Sequence, residues 1–250
     1  MPDTPDAMPP RHLRTDLHMH TTFSDGRADV ATTLATARRI GFEIGISDHY
    51  SVPYGMQGDQ VLARYLAALE QFPVYRSVEL DIGAEQPISS ENMAKLDYCI
   101  GSLHVVIGTD GKRVLPDRAS AGSLQHYMRC VVEQYERALP SGLHAMIGHP
   151  MFLPDLPREG QEELWTDDLQ KRFIAAVVDS GVALEISTRY RVPAVETVRD
   201  ALAAGARFAV ASDSHRPDAI GAVEYARRLA LDLEIPEDRF FLPRRLLPSY

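Results

Sequence analysis

The sequence predicts an α/β fold in which helices cover a parallel sheet. Short apolar stretches alternate with helical patterns from Leu13 onward, and this alternation is typical of parallel sheets. A closed barrel and an open sheet both satisfy the pattern. The open form is slightly disfavoured, because no predicted strand is followed by a glycine-rich phosphate loop of the nucleotide-binding type.

Seven strands are expected. They cover residues 13–20, 43–47, 74–84, 98–105, 144–147, 182–187 and 207–211. Helices are expected between and after them, where apolar residues recur at helical spacing and glycine or proline ends the pattern. These helices cover residues 28–40, 61–71, 90–96, 123–138, 163–180, 195–204 and 217–232.

The composition is that of an ordinary globular protein, with 45% hydrophobic and 24% charged residues among 250. A net charge of −9 makes nucleic acid an unlikely partner, because binding to a phosphate backbone relies on clustered Lys and Arg. Bound divalent cations would reverse this sign locally. No stretch approaches the roughly 20 apolar residues that span a bilayer. Cys99 and Cys130 are expected to be buried thiols, which fits a reducing cytoplasm.

One domain is expected over residues 13–250, because no long linker or internal repeat divides this part of the chain. Residues 1–12 are expected to be a disordered tail, since they are rich in proline and aspartate. The first ten residues lack the basic flank and apolar core of a signal peptide.

Metal-binding residue types collect at the ends of the predicted strands. The C-terminal ends of parallel strands converge on one face, where active sites lie. Six of the nine histidines and three carboxylates occupy this level, namely His18, His20, His49, His104, His149, His215, Asp25, Glu85 and Asp213. His18 and His20 are two residues apart on a strand, so their side chains face the same side. We therefore expect these nine residues to form one metal-binding crater.

The other histidines are not expected to be ligands. His12 lies in the tail, His126 lies on a helix, and His144 begins a strand at the opposite end of the barrel. Glu79 and Asp81 lie an even number of residues before Glu85, along the predicted strand that Glu85 follows, so all three side chains are expected to face the same side. Glu79 and Asp81 are therefore alternative candidates for the metal-binding role of Glu85. Glu85 is preferred because both rivals lie nearer the N-terminal end of the strand.

Six short motifs, all in order, resemble those of the polymerase and histidinol phosphatase (PHP) family. They are Asp16-Leu-His-Met-His20, Ser47-Asp-His49, Gly83-Ala-Glu85, Ser102-Leu-His104, Gly148-His-Pro150 and Ser212-Asp-Ser-His215. The resemblance extends over about residues 13–231. It implies a distorted seven-stranded β/α barrel of the TIM type that holds up to three divalent metal ions.

The resemblance also implies three ligand sets. The first is His18, His20, Glu85 and Asp213; the second is Glu85, His104 and His149; and the third is Asp25, His49 and His215. Mixed imidazole and carboxylate ligands suit zinc, iron or manganese. Some relatives carry a histidine near Asp25, so the metal preference of the third set is open. Asp16 and Asp48 are candidates to orient a metal-binding imidazole from behind.

Clustered divalent ions suit phosphoester hydrolysis, because they lower the pKa of a bound water and clamp phosphoryl oxygens. The proton for the leaving alkoxide comes from Asp213, His215 or water, and these alternatives remain open. Arg189 and Arg216 are expected to bind the phosphate, since arginine gives bidentate hydrogen bonds to it. Arg191 competes with Arg189, and phosphatases of the family similarly have an arginine directly after the last histidine.

Within the family, the chain is most similar to the histidinol-phosphatase branch. The stretch Leu96-Asp-Tyr-Cys-Ile-Gly-Ser-Leu-His104 carries this resemblance, whereas Glu185-Ile-Ser187 departs from the Glu-Ile-Asn found there. The expected activity is hydrolysis of a small phosphorylated metabolite, with L-histidinol phosphate as the first candidate. A nucleotide or oligonucleotide phosphatase is the alternative, although no subdomain is inserted after strand three. A non-catalytic metal-binding module is the other alternative, although all nine ligand positions are present. The oligomeric state is open.

Overall fold

A computed structural model describes residues 9–248. Within this range, eight short parallel strands form two sheets. The first sheet contains β1 (Thr15–Asp16), β2 (Glu43–Ile46) and β3 (Tyr75–Arg76), in that order. The second contains β4 (Glu79–Asp81), β5 (Ile100–Ser102), β6 (Met146–Gly148), β7 (Ala183–Ser187) and β8 (Arg207–Ala211), also in order. The predicted α/β class with parallel strands is confirmed.

Helices connect the strands, as the alternating pattern predicts. They are α1 (Val30–Arg39), α2 (Asp59–Leu69), α3 (Ser90–Met93), α4 (Ala121–Ala138), α5 (Asp167–Ser180), α6 (Val195–Ala204) and α7 (Glu224–Asp232). None of the helices in residues 9–248 is both long and apolar enough to cross a membrane. Cys99 and Cys130 are buried free thiols, as expected.

The strand count differs from the predicted seven, because the expected strand at residues 74–84 is divided into β3 and β4. β3 pairs with β2, whereas β4 pairs with β5, so the chain changes its partner strand midway. The N–H of Ser77 donates to Ile46 O (2.9 Å), and the N–H of Glu79 donates to Asp48 O (3.1 Å). The chain therefore passes from one sheet to the other while remaining hydrogen-bonded to the segment that follows β2.

Hydrogen bonds also join the two sheets at their other edges, beyond β1 and β8. Met19 and Ser214 form a parallel bridge. The N–H of His20 donates to Ser214 O (2.8 Å), and the N–H of Ser214 donates to His18 O (3.3 Å). As a result, the segments that follow the first and last strands lie side by side, and both carry predicted metal ligands.

An apolar layer inside the sheets forms the floor below these segments. It contains Leu17, Tyr75, Tyr98, Ile100, Met146, Ala183, Ala209 and Ala211, all buried. Side chains alternate between the two faces of a strand. Ala183 faces this inner layer, so Glu185, two residues further along β7, faces the same side at a higher level. The outer faces pack on the helices, where Tyr135 of α4 meets Phe173 of α5 with ring centroids 4.9 Å apart.

Part of the predicted N-terminal tail is ordered. Residues 1–8 lie outside the described residues, but Arg11–Leu13 form one turn of 3₁₀ helix. Arg11 forms an ion pair with Glu43 (3.0 Å). The ring of His12 stacks on Phe240, with centroids 4.5 Å apart. The tail prediction is therefore corrected at this turn, because Arg11 and His12 find partners on the folded body.

Candidate metal centre

A buried carboxylate, Glu79, lies at the centre of the histidine cluster. Its side chain is 1% exposed. Five imidazoles have a ring nitrogen close to its carboxylate oxygens: His18 Nε2 at 3.3 Å, His20 Nε2 at 3.3 Å, His49 Nδ1 at 2.9 Å, His104 Nε2 at 3.4 Å and His149 Nε2 at 3.2 Å. These imidazoles come from the segments after β1, β2, β5 and β6, so the strand ends converge here as expected.

Two further carboxylates complete the cluster. Asp213 is buried, and its Oδ1 lies 3.3 Å from His20 Nε2 and 3.8 Å from His18 Nε2. Asp25 is 44% exposed, and its Oδ2 lies 3.1 Å from His215 Nε2 and 3.8 Å from His49 Nε2. The structure thus brings together eight of the nine predicted ligands, and Asp25 marks the open side of the cluster.

The donor atoms of this cluster fit divalent metal ions. Within residues 9–248, three groups of donors each lie within 4.8 Å of one another: His20, Asp25, His49 and His215; His18, His20 and Glu79; and His49, Glu79 and His104. Several of these atoms are buried and form no directed hydrogen bond in the described part of the chain, namely His18 Nε2, His20 Nε2, His49 Nδ1 and Glu79 Oε2. Buried polar atoms normally have a partner, and a metal ion would supply one.

The carboxylates and imidazoles of the site shift each other's pKa. Burial opposes ionisation of Glu79, but the surrounding imidazoles of His18 and His49 hold its pKa well below its usual range. Burial also opposes charge on His104, but Glu79 and Asp81 raise its pKa to about 10. Burial lowers the pKa of His20 to about 4, which keeps this imidazole neutral with a lone pair available.

Two carboxylates orient the imidazoles from behind. Glu185 Oε2 lies 2.7 Å from Nδ1 of His18, and Asp81 Oδ1 lies 2.8 Å from Nδ1 of His104. Each contact leaves Nε2 facing Glu79, and this arrangement is usual for metal-binding histidines. In the sequence, Asp81 is a rival of Glu85 and Glu185 is part of the stretch Glu185-Ile-Ser187, but neither residue was expected to have this role. One signal for Glu185 was available in the sequence. It lies two residues after Ala183 on the same strand, so both side chains face the interior.

Glu85 does not belong to the cluster, which corrects the predicted bridging ligand. Gly83 has a left-handed φ of 75° and turns the chain after β4. Glu85 consequently accepts hydrogen bonds from the N–H of Gly83 (2.9 Å) and contacts Nε2 of buried His144 (2.9 Å). Glu79 occupies the position in the cluster that was expected for Glu85, because a parallel bridge to His49 puts Glu79 level with the end of β2.

The two predicted phosphate-binding arginines differ in position. Arg189 follows β7 and lines the cleft, where its Nη1 donates to Asp213 O (3.1 Å) and to the ring of His215. Arg216 is 58% exposed and forms two hydrogen bonds with Asp218, at 3.0 and 2.9 Å. The extended backbone at Arg216 (φ −141°, ψ 145°) carries it away from the cleft. Arg189 is therefore the arginine at the site, and the prediction for Arg216 is corrected.

Asp16 and Asp48 organise the backbone around the site instead of contacting an imidazole. Asp16 accepts hydrogen bonds from the N–H groups of Ser212 (2.8 Å) and Gly221 (3.1 Å). Asp48 accepts from Thr21 N–H (2.7 Å) and from two hydroxyl groups of the same loop. Both carboxylates thus hold the segments that carry the ligands after β1 and β8.

Two residues of the site have a strained backbone. Of the five non-glycine residues with positive φ in the described range, His149 has φ 30° and Asp213 has φ 51°. Such conformations cost free energy and persist at binding and catalytic sites. Together with Asp25, His49 and Arg189, they line an open cleft of about 230 Å³ whose mouth is flanked by Tyr54, Phe152 and Tyr190.

The comparison with family models decides the family. The model of the PHP domain matches residues 16–189. The chain belongs to the PHP family. In this PHP protein, Asp213 and His215 lie beyond the matched segment, but their side chains lie next to His20 and Asp25 of that segment. Membership indicates a metal-dependent hydrolase or phosphoesterase.

Other comparisons are less specific. No curated protein sequence matches the chain. A triazine hydrolase from Arthobacter aurescens is 14% identical, with a TM-score of 0.40 over 81% of this chain and 45% of its own. A probable 2-pyrone-4,6-dicarboxylic acid hydrolase from Acinetobacter baumannii is 13% identical, with a TM-score of 0.43 over 90% of this chain and 93% of its own. The PHP chain thus spans less than half of the triazine hydrolase, and similarity this distant assigns no reaction to it.

Proposed function

We propose that this PHP protein is a metal-dependent phosphatase that hydrolyses the monoester of a small phosphorylated metabolite. The observation that carries the proposal is a buried carboxylate, Glu79, surrounded by five imidazole nitrogens. Three of these nitrogens, on His18, His20 and His49, are buried and form no directed hydrogen bond within the described residues. An arginine, Arg189, lies at the open side of the same cleft. The side chains that would bind metal ions and the arginine that would bind phosphate therefore line the same small cleft.

Up to three ions of zinc, iron or manganese would be held by the three donor groups described above. Bound ions supply a water of lowered pKa and positive charge for the phosphoryl oxygens. The chain's own contribution would begin with Arg189, which lies beside Asp213 in the cleft and would hold a phosphoryl oxygen. The candidate proton sources for the leaving alkoxide are Asp213, His215 and water.

Several observations support a small substrate. The cleft measures about 230 Å³, and the net charge of −9 disfavours a nucleic-acid chain. L-histidinol phosphate remains the first substrate to test, as the motif resemblance suggests, and a mononucleotide is the alternative. Buried free thiols at Cys99 and Cys130 agree with a reducing cytoplasm as the location.

The test is phosphate release by metal-free protein reloaded with manganese, zinc or iron(II). Histidinol phosphate, a nucleoside monophosphate, a sugar phosphate and a chromogenic aryl phosphate form the substrate panel. We expect turnover of at least one monoester that depends on added metal and is abolished by a chelator. Preference for the nucleotide or the sugar would overturn the named substrate only. Absence of turnover with every metal and ester, in protein that binds metal, would favour a non-catalytic module.

A further inference from the structure

A second cavity adjoins the metal cleft. It measures about 370 Å³ and is lined by residues from the loop after β6 and the loop after β7. Phe152 and Tyr190 line both the cavity and the cleft. Their ring centroids are 4.4 Å apart, and the ring of Tyr190 also lies 5.1 Å from that of His149. One pair of aromatic rings thus forms the boundary between the two spaces.

The cavity is lined mainly by apolar and aromatic surfaces. Trp165 lies on its wall, and the indole N–H donates to Met151 O (3.1 Å), which fixes the ring in place. Gln161 is buried, and its amide is fully engaged with the backbone of Leu153 and Leu156. The wall is therefore held rigidly by hydrogen bonds before any ligand binds, and this kind of preorganisation favours binding.

Charge does not select the ligand of this cavity. Arg158 and Arg191 are balanced by Glu162 and Glu196 in the lining. Arg158 already donates to the backbone carbonyls of Arg189 and Tyr190. Because the lining charges cancel, the ring faces remain as the main basis for recognition, and aromatic side chains preferentially stack with other planar groups.

The backbone around the cavity is strained in the same way as that of the metal cleft. Met151 has φ 70° and Arg191 has φ 53°. With His149 and Asp213 in the cleft, these residues make up four of the five non-glycine residues of positive φ in the described range. Strain concentrated in both spaces is consistent with a shared function.

We propose that this cavity is the leaving-group subsite, which receives a planar ring on the alcohol portion of the phosphate ester. The proposal rests on the proposed phosphatase function for the identity of the ester. The phosphate would lie at Arg189 in the cleft, and the ring would extend past Phe152 and Tyr190 toward Trp165. The expected substrate class is a small monoester whose alcohol carries an aromatic or heteroaromatic ring.

Binding can be tested without turnover, because Trp165 is the single tryptophan of the chain. The probe is 2-phenylethanol, with 1,3-propanediol as the ring-free control. We expect a saturable change in tryptophan fluorescence with the ring-bearing alcohol alone. The blocking variant is Ala194→Phe, since Ala194 lines the cavity from the start of α6 and does not line the metal cleft. The matched control is Ala175→Phe, which adds the same group beside a different cavity, of about 410 Å³.

The blocking variant should weaken binding of 2-phenylethanol at least about tenfold, because the added ring fills the apolar space that the ring of the alcohol would occupy. It should lower the ratio of kcat/KM for phenylethyl phosphate over that for propyl phosphate by a similar factor. Ala175→Phe should leave both quantities unchanged. Equal fluorescence changes with both alcohols, or binding unaffected by Ala194→Phe, would overturn the subsite. Failure of the phosphatase function would instead appear as ring binding without hydrolysis of any ester.

Discussion

Arg189 is the residue through which the chain itself would hold the phosphate. Its guanidinium lies 3.3 Å from Asp213 Oδ2, at the mouth of the cleft. Arg189→Ala should lower kcat/KM for a phosphate monoester about 30- to 1000-fold, which corresponds to about 2–4 kcal/mol of transition-state stabilisation. Metal content should stay unchanged.

The matched control for this prediction is Arg216→Ala. Arg216 is the neighbouring surface arginine that pairs with Asp218, so its loss should leave the kinetics within a factor of about 3. Steady-state kinetics on the same ester compare the two variants. A larger loss at Arg216 than at Arg189 would show that Arg216, and not Arg189, binds the phosphate.

Protons on two histidines couple metal binding to pH. In the metal-free protein the pKa of His104 is about 10, above its ordinary value of 6.5, and Glu79 and Glu185 likewise raise the pKa of His18. Protonated His104 therefore stabilises the metal-free fold fully below about pH 6.5, and this contribution is lost as the pH rises through about 10. Metal ions bind the neutral imidazole, so they must displace these protons.

We therefore expect metal loading at pH 7 to release at least about one proton per chain, and metal affinity to rise with pH. Indicator-dye or pH-stat titration of the metal-free protein with zinc measures the release. Loading without proton release at neutral pH would show that neither His18 nor His104 becomes a ligand.

At the level of secondary-structure elements, Gly148 allows β6 to pack closely against Ser102 of β5 and against the ring of His18. A Cβ added to Gly148 would lie 2.2 Å from Ser102 Oγ and 3.0 Å from His18 Cε1. Gly148→Ala should therefore destabilise the fold by about 1–3 kcal/mol, as overpacking does, and weaken metal binding by displacing His18.

Gly122→Ala is the control, because a Cβ at this position near the start of α4 meets only Ser120 Oγ at 3.9 Å. It should change stability by less than about 1 kcal/mol. Thermal unfolding and metal titration compare the two variants. Equal stability of Gly148→Ala and the parent would mean that β5 and β6 lie farther apart than described.

Element positions were largely predictable, and the exceptions have local causes. The predicted helix at residues 195–204 agrees with α6, since Gly205 ends it in a left-handed conformation. The predicted helix at 217–232 begins only at Glu224, because Gly221 (φ 70°) interrupts it. The strand at 74–84 was misjudged in length and pairing, and that error moved the expected ligand from Glu79 to Glu85. Hydrophobic pattern indicates a strand but does not show where its partner changes.

At the scale of the whole molecule, the histidines of the site were predictable because they mark strand ends in a parallel fold. The roles of Glu185 and Asp81 were not, since they depend on which imidazole nitrogen each carboxylate meets across the sheet. The position of Arg216 depends equally on a local partner, Asp218, which sequence spacing alone does not reveal.

Metal should stabilise the entire fold, because the donor residues come from segments between His18 and His215. A ligand present at 100 times its Kd contributes about 2.7 kcal/mol, which raises the Tm of a chain of this size by about 5–10 °C. Calorimetry with and without a chelator measures the shift. Equal Tm values with and without the chelator would show that the donor residues hold no tightly bound ion under those conditions.

Paired variants test most directly whether Glu79 binds metal as a member of the first and second ligand sets. Glu79→Gln should remove bound metal, measured by elemental analysis, and reduce metal-dependent ester hydrolysis at least about 100-fold. Glu85→Gln should lower stability through the lost contact with His144, but it should keep metal content and activity within a factor of about 3. Full metal content and activity in Glu79→Gln, with both lost in Glu85→Gln, would contradict the account.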